Sequence, residues 1–179
     1  MNRVRVGAAA VLLSFVAIAA HAQPPADKPG AEQKNLSRFV GTWKMEGTLE
    51  PSPFAPKGGK FTGTETCSMF EGWHLVCESS GSGAMGNMKS RMIMSYDRTE
   101  KTYRYFAVSS MPDAERATGT LSGNTWTWTG SMEQAGQKIQ TRFTLVEKSP
   151  TVHTFSMEMS MDGTKWMPAM KGTSTKAGS

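Results

Sequence analysis

Hydrophobic and polar residues alternate with a period of two along most of this chain. Phe39, Gly41, Trp43 and Met45 fall on one side of an extended backbone, with Thr42, Lys44 and Glu46 on the other. The alternation recurs in Phe61, Gly63, Glu65, Cys67 and Met69, set against Lys60, Thr62, Thr64, Thr66 and Ser68. It recurs again in Met88, Ser90, Met92, Met94 and Tyr96, and in Ile139, Thr141, Phe143 and Leu145. Trp126 and Trp128 interleave with Thr125, Thr127 and Thr129, and His153, Phe155, Met157, Met159 and Met161 make a last stripe. Successive side chains of a strand point to opposite faces, so each run predicts a half-buried β-strand. Asp97, Gly123-Asn124, Gly136 and Asp162-Gly163 separate the runs with residues suited to tight turns. Only Glu32 to Val40 reads as a short helix, with Leu36, Phe39 and Val40 turned inward. About ten strands with no later helix predict an all-β domain. A sheet that long exposes two edges unless it closes. The expected fold is an antiparallel up-and-down β-barrel of about ten strands with a short N-terminal helix, and a two-sheet sandwich is the alternative.

The first residues break this pattern. Arg3 and Arg5 precede an apolar run from Val6 to Ala20, and Ala20-His21-Ala22 supplies small residues around a cleavage point. This predicts a secretory signal peptide over 1–22, too short for a comfortable membrane span, with an uncleaved anchor as the alternative. A periplasmic or secreted protein follows, not an integral membrane one. Residues 23–31 read as a flexible Pro-rich leader, 32–176 as one barrel domain and 177–179 as a tail. Hydrophobic residues at 38% and charged residues at 20% exclude a disordered polyelectrolyte. Loss of Arg3 and Arg5 would lower the net charge from +5 to +3, with Lys and Arg scattered, which argues against a nucleic-acid partner. Leu49 to Lys60 holds three prolines and two glycines and predicts a loop, either a lid or plain surface.

Cys67 and Cys77 lie ten positions apart about Gly72. A hairpin of residues 61–69 and 73–80 sets them opposite each other, within disulfide reach. An oxidising compartment favours a structural bridge. A redox centre would want closer spacing or a basic neighbour, and neither is present.

The remaining chemistry is sparse. Gly81-Ser82-Gly83-Ala84-Met85-Gly86 matches G-x-G-x-x-G, but a strand pattern follows it where a phosphate-binding motif opens a helix. Only His74 and His153 survive cleavage, which leaves little for a hydrolytic triad and leans away from an enzyme. Glu65 is in phase with the apolar face; a buried carboxylate there either orients a ligand, acts as a general acid, or pairs with a barrel residue such as Arg104. Methionine is abundant, 14 in all. Flexible thioethers fill cores, line cavities that accept loosely shaped ligands, or bind copper(I). A metal site would use His153, Met157, Met159 and Met161; no cofactor is expected. The leading expectation is a non-enzymatic barrel binding a small apolar or amphipathic molecule. Its lining would be Trp43, Phe61, Glu65, Leu75, Met92, Met94, Tyr105, Trp126, Trp128, Phe143, Phe155 and Met157. Copper(I) handling in the envelope and a solid-cored interaction module are the alternatives.

The order Phe39-Val40-Gly41-Thr42-Trp43, Glu50-Pro51-Ser52-Pro53-Phe54, Gly63-Thr64-Glu65-Thr66-Cys67, Leu75-Val76-Cys77, Tyr96-Asp97, Thr125-Trp126-Thr127-Trp128, Ser149-Pro150-Thr151 and Asp162-Gly163 before Trp166 resembles the bacterial "domain of unknown function 1579" family across residues 36–176. That family implies no established activity. Gly41-Thr42-Trp43 on the first strand after a short helix also resembles the calycin superfamily of lipocalins, fatty-acid-binding proteins and nitrobindins. The lipocalin resemblance implies that Trp43 plugs the closed end beneath a basic side chain, with Arg142, Lys171 and Lys176 as candidates. The helical lid of fatty-acid-binding proteins has no counterpart here. His153 is the only match for a nitrobindin haem ligand, and its surroundings differ.

Overall fold

The chain opens with α1 (Ala31–Leu36) and a 3-10 turn over Ser37–Phe39, then runs through ten strands. The computed structural model describes residues 28–52, 55–134 and 136–178. The expected signal peptide and the first part of the leader lie outside the described residues. Gln33 folds back so that its Oε1 accepts the Gly30 N–H at 2.9 Å, which starts α1 as half of a capping box. Six residues are too few to hold a helix alone, so burial of Leu36 and Gln33 fixes it. The expected helix over Glu32–Val40 is therefore shorter: the last turn tightens to 3-10, and Val40 is already non-helical.

The strands are β1 (Gly41–Leu49), β2 (Gly59–Phe70), β3 (His74–Gly83), β4 (Gly86–Asp97), β5 (Thr102–Ser109), β6 (Glu115–Ser122), β7 (Thr125–Gln134), β8 (Gln137–Ser149), β9 (Val152–Ser160) and β10 (Met167–Lys176). Each pairs antiparallel with its sequence neighbours, and β1 pairs with β10 to close the barrel. Closure leaves no free edge among the ten strands. The sandwich alternative is excluded.

Register decides several details. Leu49 pairs with Gly59 and Met170, so the sheet extends into the stretch expected as loop, and the connection is only residues 50–58. Gly81 and Gly83 end β3 and Gly86 starts β4, with a two-residue turn between them and no helix. β9 stops at Ser160, whose Oγ accepts the Gly163 N–H at 2.9 Å and thereby ties down the following turn. Met161 consequently falls beyond the strand and is exposed. Cys67 pairs with Cys77, and the two are bonded with S–S 2.01 Å.

One barrel end is sealed and the other is open. α1, the 3-10 turn and both ends of the barrel sequence meet at the sealed end. Leu36, Phe39, Trp126, Trp128 and Tyr103 make the core there. Trp126 stacks parallel to Trp128 with ring centres 6.0 Å apart and meets Phe39 at 5.3 Å. The Trp126 Nε1–H donates to Glu147 Oε1 at 2.7 Å, and Arg38 pairs with the same oxygen at 3.4 Å, fastening the helix to the barrel. Gly119 is required at its place: a Cβ there would lie 2.4 Å from Trp128 Cε3, so only glycine lets the indole lie against β6.

Candidate functional site

Trp43 closes the floor. It is 2% exposed, and its Nε1–H donates to the Phe39 carbonyl at 2.7 Å. His153 stacks on it at 4.1 Å, while the Lys176 ammonium lies over its ring at 5.4 Å. Of the three basic candidates, Lys176 is thus the one at Trp43. Arg142 instead covers Trp166 and pairs with Glu158, and Lys171 pairs with Glu50. This explains the glycine of Gly41-Thr42-Trp43. Gly41 has φ +123°, and a Cβ there would sit 2.7 Å from Lys176 Cε.

Above this floor the barrel holds a cavity of about 400 Å³ that opens at the other end. The lower wall includes Trp43, Leu75, Cys77 and His153. The middle carries Phe61, Glu65, Met92, Met94, Tyr105 and Trp128, and Phe143, Phe155 and Met157 complete it. Of the residues expected to line an interior site, Trp126 alone is not on the wall; it is fully buried in the sealed end beneath Phe39. Stacking against Trp128 placed it one pair too deep. Alternation gives the face of a strand but not the depth at which a residue sits.

The methionine and histidine stripe does not converge. His153 and Met157 face the cavity, Met159 lies off its wall and Met161 is exposed. His153 is instead an aromatic packing residue, edge-on to Phe39 at 5.5 Å. Burial pulls its pKa below the usual histidine range, so the ring stays neutral against Trp43. Among the described residues, donor atoms of Glu65, Cys67 and Cys77 lie within 4.8 Å of one another, but both sulfurs are spent in the disulfide.

Besides hydroxyls such as those of Ser79, Ser80, Ser90, Thr141 and Ser174, the acidic groups on the wall are Glu65, Tyr105 and Glu115. Glu65 sits between Trp43 on β1 and Ser79 on β3. It has no hydrogen-bond or ion-pair partner among the described residues. Its expected partner, Arg104, points outward and pairs with Asp97 at 3.4 Å, because β5 puts Arg104 out of phase with Tyr105. Desolvation pushes the Glu65 carboxyl up to about 7. Part of its surface remains accessible only because it borders the cavity space. Tyr105 donates from its hydroxyl to Glu115 Oε2 at 3.4 Å. Burial raises the Tyr105 phenol first, and the charges of Glu115 and Glu65 add to it. Burial likewise raises Glu115.

Glu115 was not anticipated from the pattern. It shares a face with Ala117 and Gly119, but small residues on β6 hide the alternation. Met45, Met85, Met88 and Met170 also join the wall. Together with Met92, Met94 and Met157 they make thioethers the commonest side chain around the space. Ser79 and Ser90, hydrogen-bonded at 2.7 Å, line it as well.

A closed antiparallel barrel with a sealed aromatic floor and an apolar interior is the architecture of calycin-like proteins. The chain belongs to the family described as protein of unknown function DUF1579, whose model matches residues 28–176. No curated protein sequence matches it. Among solved structures it is similar to Rv2717c from M. tuberculosis, with TM-score 0.63 and 10% identity over 84% of this chain and 100% of that one. It is also similar to the S-type phycobiliprotein lyase CPES from Guillardia theta, with TM-score 0.54 and 12% identity over 83% of this chain and 93% of that one. At such identities the likeness is one of fold.

Proposed function

We propose that this protein is a non-enzymatic container for a small apolar or amphipathic molecule, held inside the barrel and acting in the cell envelope or outside the cell. The observation that carries this reading is the cavity itself. Its volume of about 400 Å³ falls in the range of small-molecule sites, and its wall combines methionine and aromatic side chains with serine and threonine hydroxyls and a few ionisable groups. Methionine adapts its shape and suits a ligand that fits loosely. Export is supported by the signal-like residues 1–22 and by the Cys67–Cys77 bridge, which an oxidising compartment maintains. No helix among the described residues is long and apolar enough to cross a membrane. The outer face mixes Thr64, Thr66, Glu78, Arg91 and Arg104 with exposed Ile93, Phe106 and Val108, in place of the continuous apolar band of a membrane barrel.

The neutral dye N-phenyl-1-naphthylamine tests this. It should perturb tryptophan emission through Trp128 and Trp43 and raise the melting temperature. The stabilisation should approach about 2.7 kcal/mol at roughly one hundred times its Kd. Ala117→Trp places a large ring on the cavity wall and should weaken binding at least about tenfold while the barrel stays folded. If no neutral apolar probe moves either signal, or copper(I) alone moves both, the proposal fails.

A further inference from the structure

Glu65, Tyr105 and Glu115 give the apolar cavity a polar centre of one sign. Tyr105 links the two carboxyls: it donates to Glu115 Oε2 at 3.4 Å and also senses the charge of Glu65. Glu65 is surrounded by protein, faces the cavity and has no partner among the described residues. The groups around this centre offer no compensating cation. From β1 it faces Trp43, from β3 Ser79, and on β9 burial favours the neutral form of His153. The disulfide of β2 and β3 carries no charge. Lys89 on β4 is the only Lys or Arg on the wall among the described residues, and it is exposed at the rim. Lys176 is engaged over the Trp43 ring at 5.4 Å and is not on the cavity wall. Arg104 and Arg116 are on the outer face, paired with Asp97 and stacked on Phe106.

Resting on the container reading, we propose that the cavity selects amphiphiles whose polar end is a protonated amine, paired with Glu65 on the wall that Glu115 also lines, and rejects those ending in a carboxylate. A carboxylate head would bury like charge on a wall that already carries two acids, where the serine and threonine hydroxyls can donate but bring no compensating charge. An ammonium head supplies the missing partner to Glu65 and favours the ionised form of both acids. Apolar tail and thioether wall are common to every amphiphile, so the head group makes the difference. Linkage fixes the pH dependence. A cation binds the ionised carboxyls, so its affinity rises with pH until they are deprotonated in the free protein. A primary amine remains charged throughout that range.

Length-matched decylamine, decanol and decanoate, each below its micelle concentration, displace N-phenyl-1-naphthylamine from the mature protein. The expected order at about pH 8 is decylamine at least about tenfold tighter than decanoate, with decanol between them. At about pH 5 the preference for the amine should shrink several-fold. Glu65→Gln should remove most of the preference for decylamine over decanoate, and Glu115→Gln should lower it in the same direction if Glu65→Gln does not fold. Decanol binding without preference for the amine, or a preference that survives both variants, overturns this inference and leaves the container reading intact. Failure of all three to displace the dye, in protein that binds the dye, also overturns it and confines the site to bulkier ligands. Failure of the dye itself to bind overturns both.

Discussion

Trp43→Ala should lower the stability of the barrel by about 3–5 kcal/mol, the usual cost of truncating a buried Trp to Ala. The indole is 2% exposed, donates to the Phe39 carbonyl, and lies between His153 and the Lys176 chain. Its removal leaves a void between the 3-10 turn, β1 and β9. It also leaves the Phe39 carbonyl without its donor, a further cost when that group is buried. The aromatic neighbours cannot collapse into the space, because Phe39 is itself fixed against Trp126 and the helix. Urea unfolding checks the figure. A loss below about 1 kcal/mol would show that Trp43 is not the keystone of the sealed end.

Glu65→Gln should stabilise the protein at about pH 8 and leave it nearly unchanged at about pH 4. The folded barrel holds the Glu65 carboxyl at about 7, against 4.5 in an ordinary setting, because burial penalises its charge. Between those values the folded state carries more proton than the unfolded one, so stability falls as pH rises from the lower to the higher. Above the higher value the whole desolvation cost is present. The shift corresponds to at most about 3 kcal/mol, and cavity-side exposure reduces it to about 1–3. His153 acts in the other direction. Its depressed pKa means stability is lost as pH drops below the ordinary histidine range toward its folded value. The two contributions therefore oppose each other on the acid side of neutrality. In Glu65→Gln the alkaline arm should flatten, and melting curves across pH read it directly. An alkaline arm unchanged from the wild type would place the ionised carboxylate in water or beside an undetected cation.

The strands were legible because a half-buried strand writes its two faces directly into the sequence. Phe61, Glu65 and Cys67 could be assigned to the interior without knowing any partner strand, and the Cys67–Cys77 pairing followed from hairpin geometry alone. What depended on closure was not legible. Nothing local distinguishes Lys176 from Arg142 or Lys171 as the cation over Trp43, because the choice is made when β10 returns beside β1. Arg104 looked a reasonable partner for Glu65 until the phase of β5 turned it outward. Glu115 escaped notice because Ala117 and Gly119 make no hydrophobic stripe, yet those small side chains are what leave room for Trp128 and Tyr105. The loop after β1 was overestimated because Pro and Gly mark where a strand cannot continue, not where its pairing ends.

The central claim is that the interior of the barrel, and not its outer surface, is where a ligand sits. The methionines provide reporters on both sides of the wall. Met92, Met94 and Met157 face the cavity, whereas Met111, Met161 and Met167 are exposed outside it. Isotope-labelled methionine methyl groups, assigned by single Met→Leu substitutions, can be followed by NMR as N-phenyl-1-naphthylamine is added. The account predicts that the three interior methyls shift together and saturate at one probe per chain while the three outer ones stay still. Shifts confined to the outer methyls, or an interior set that does not respond at saturating probe, would contradict it.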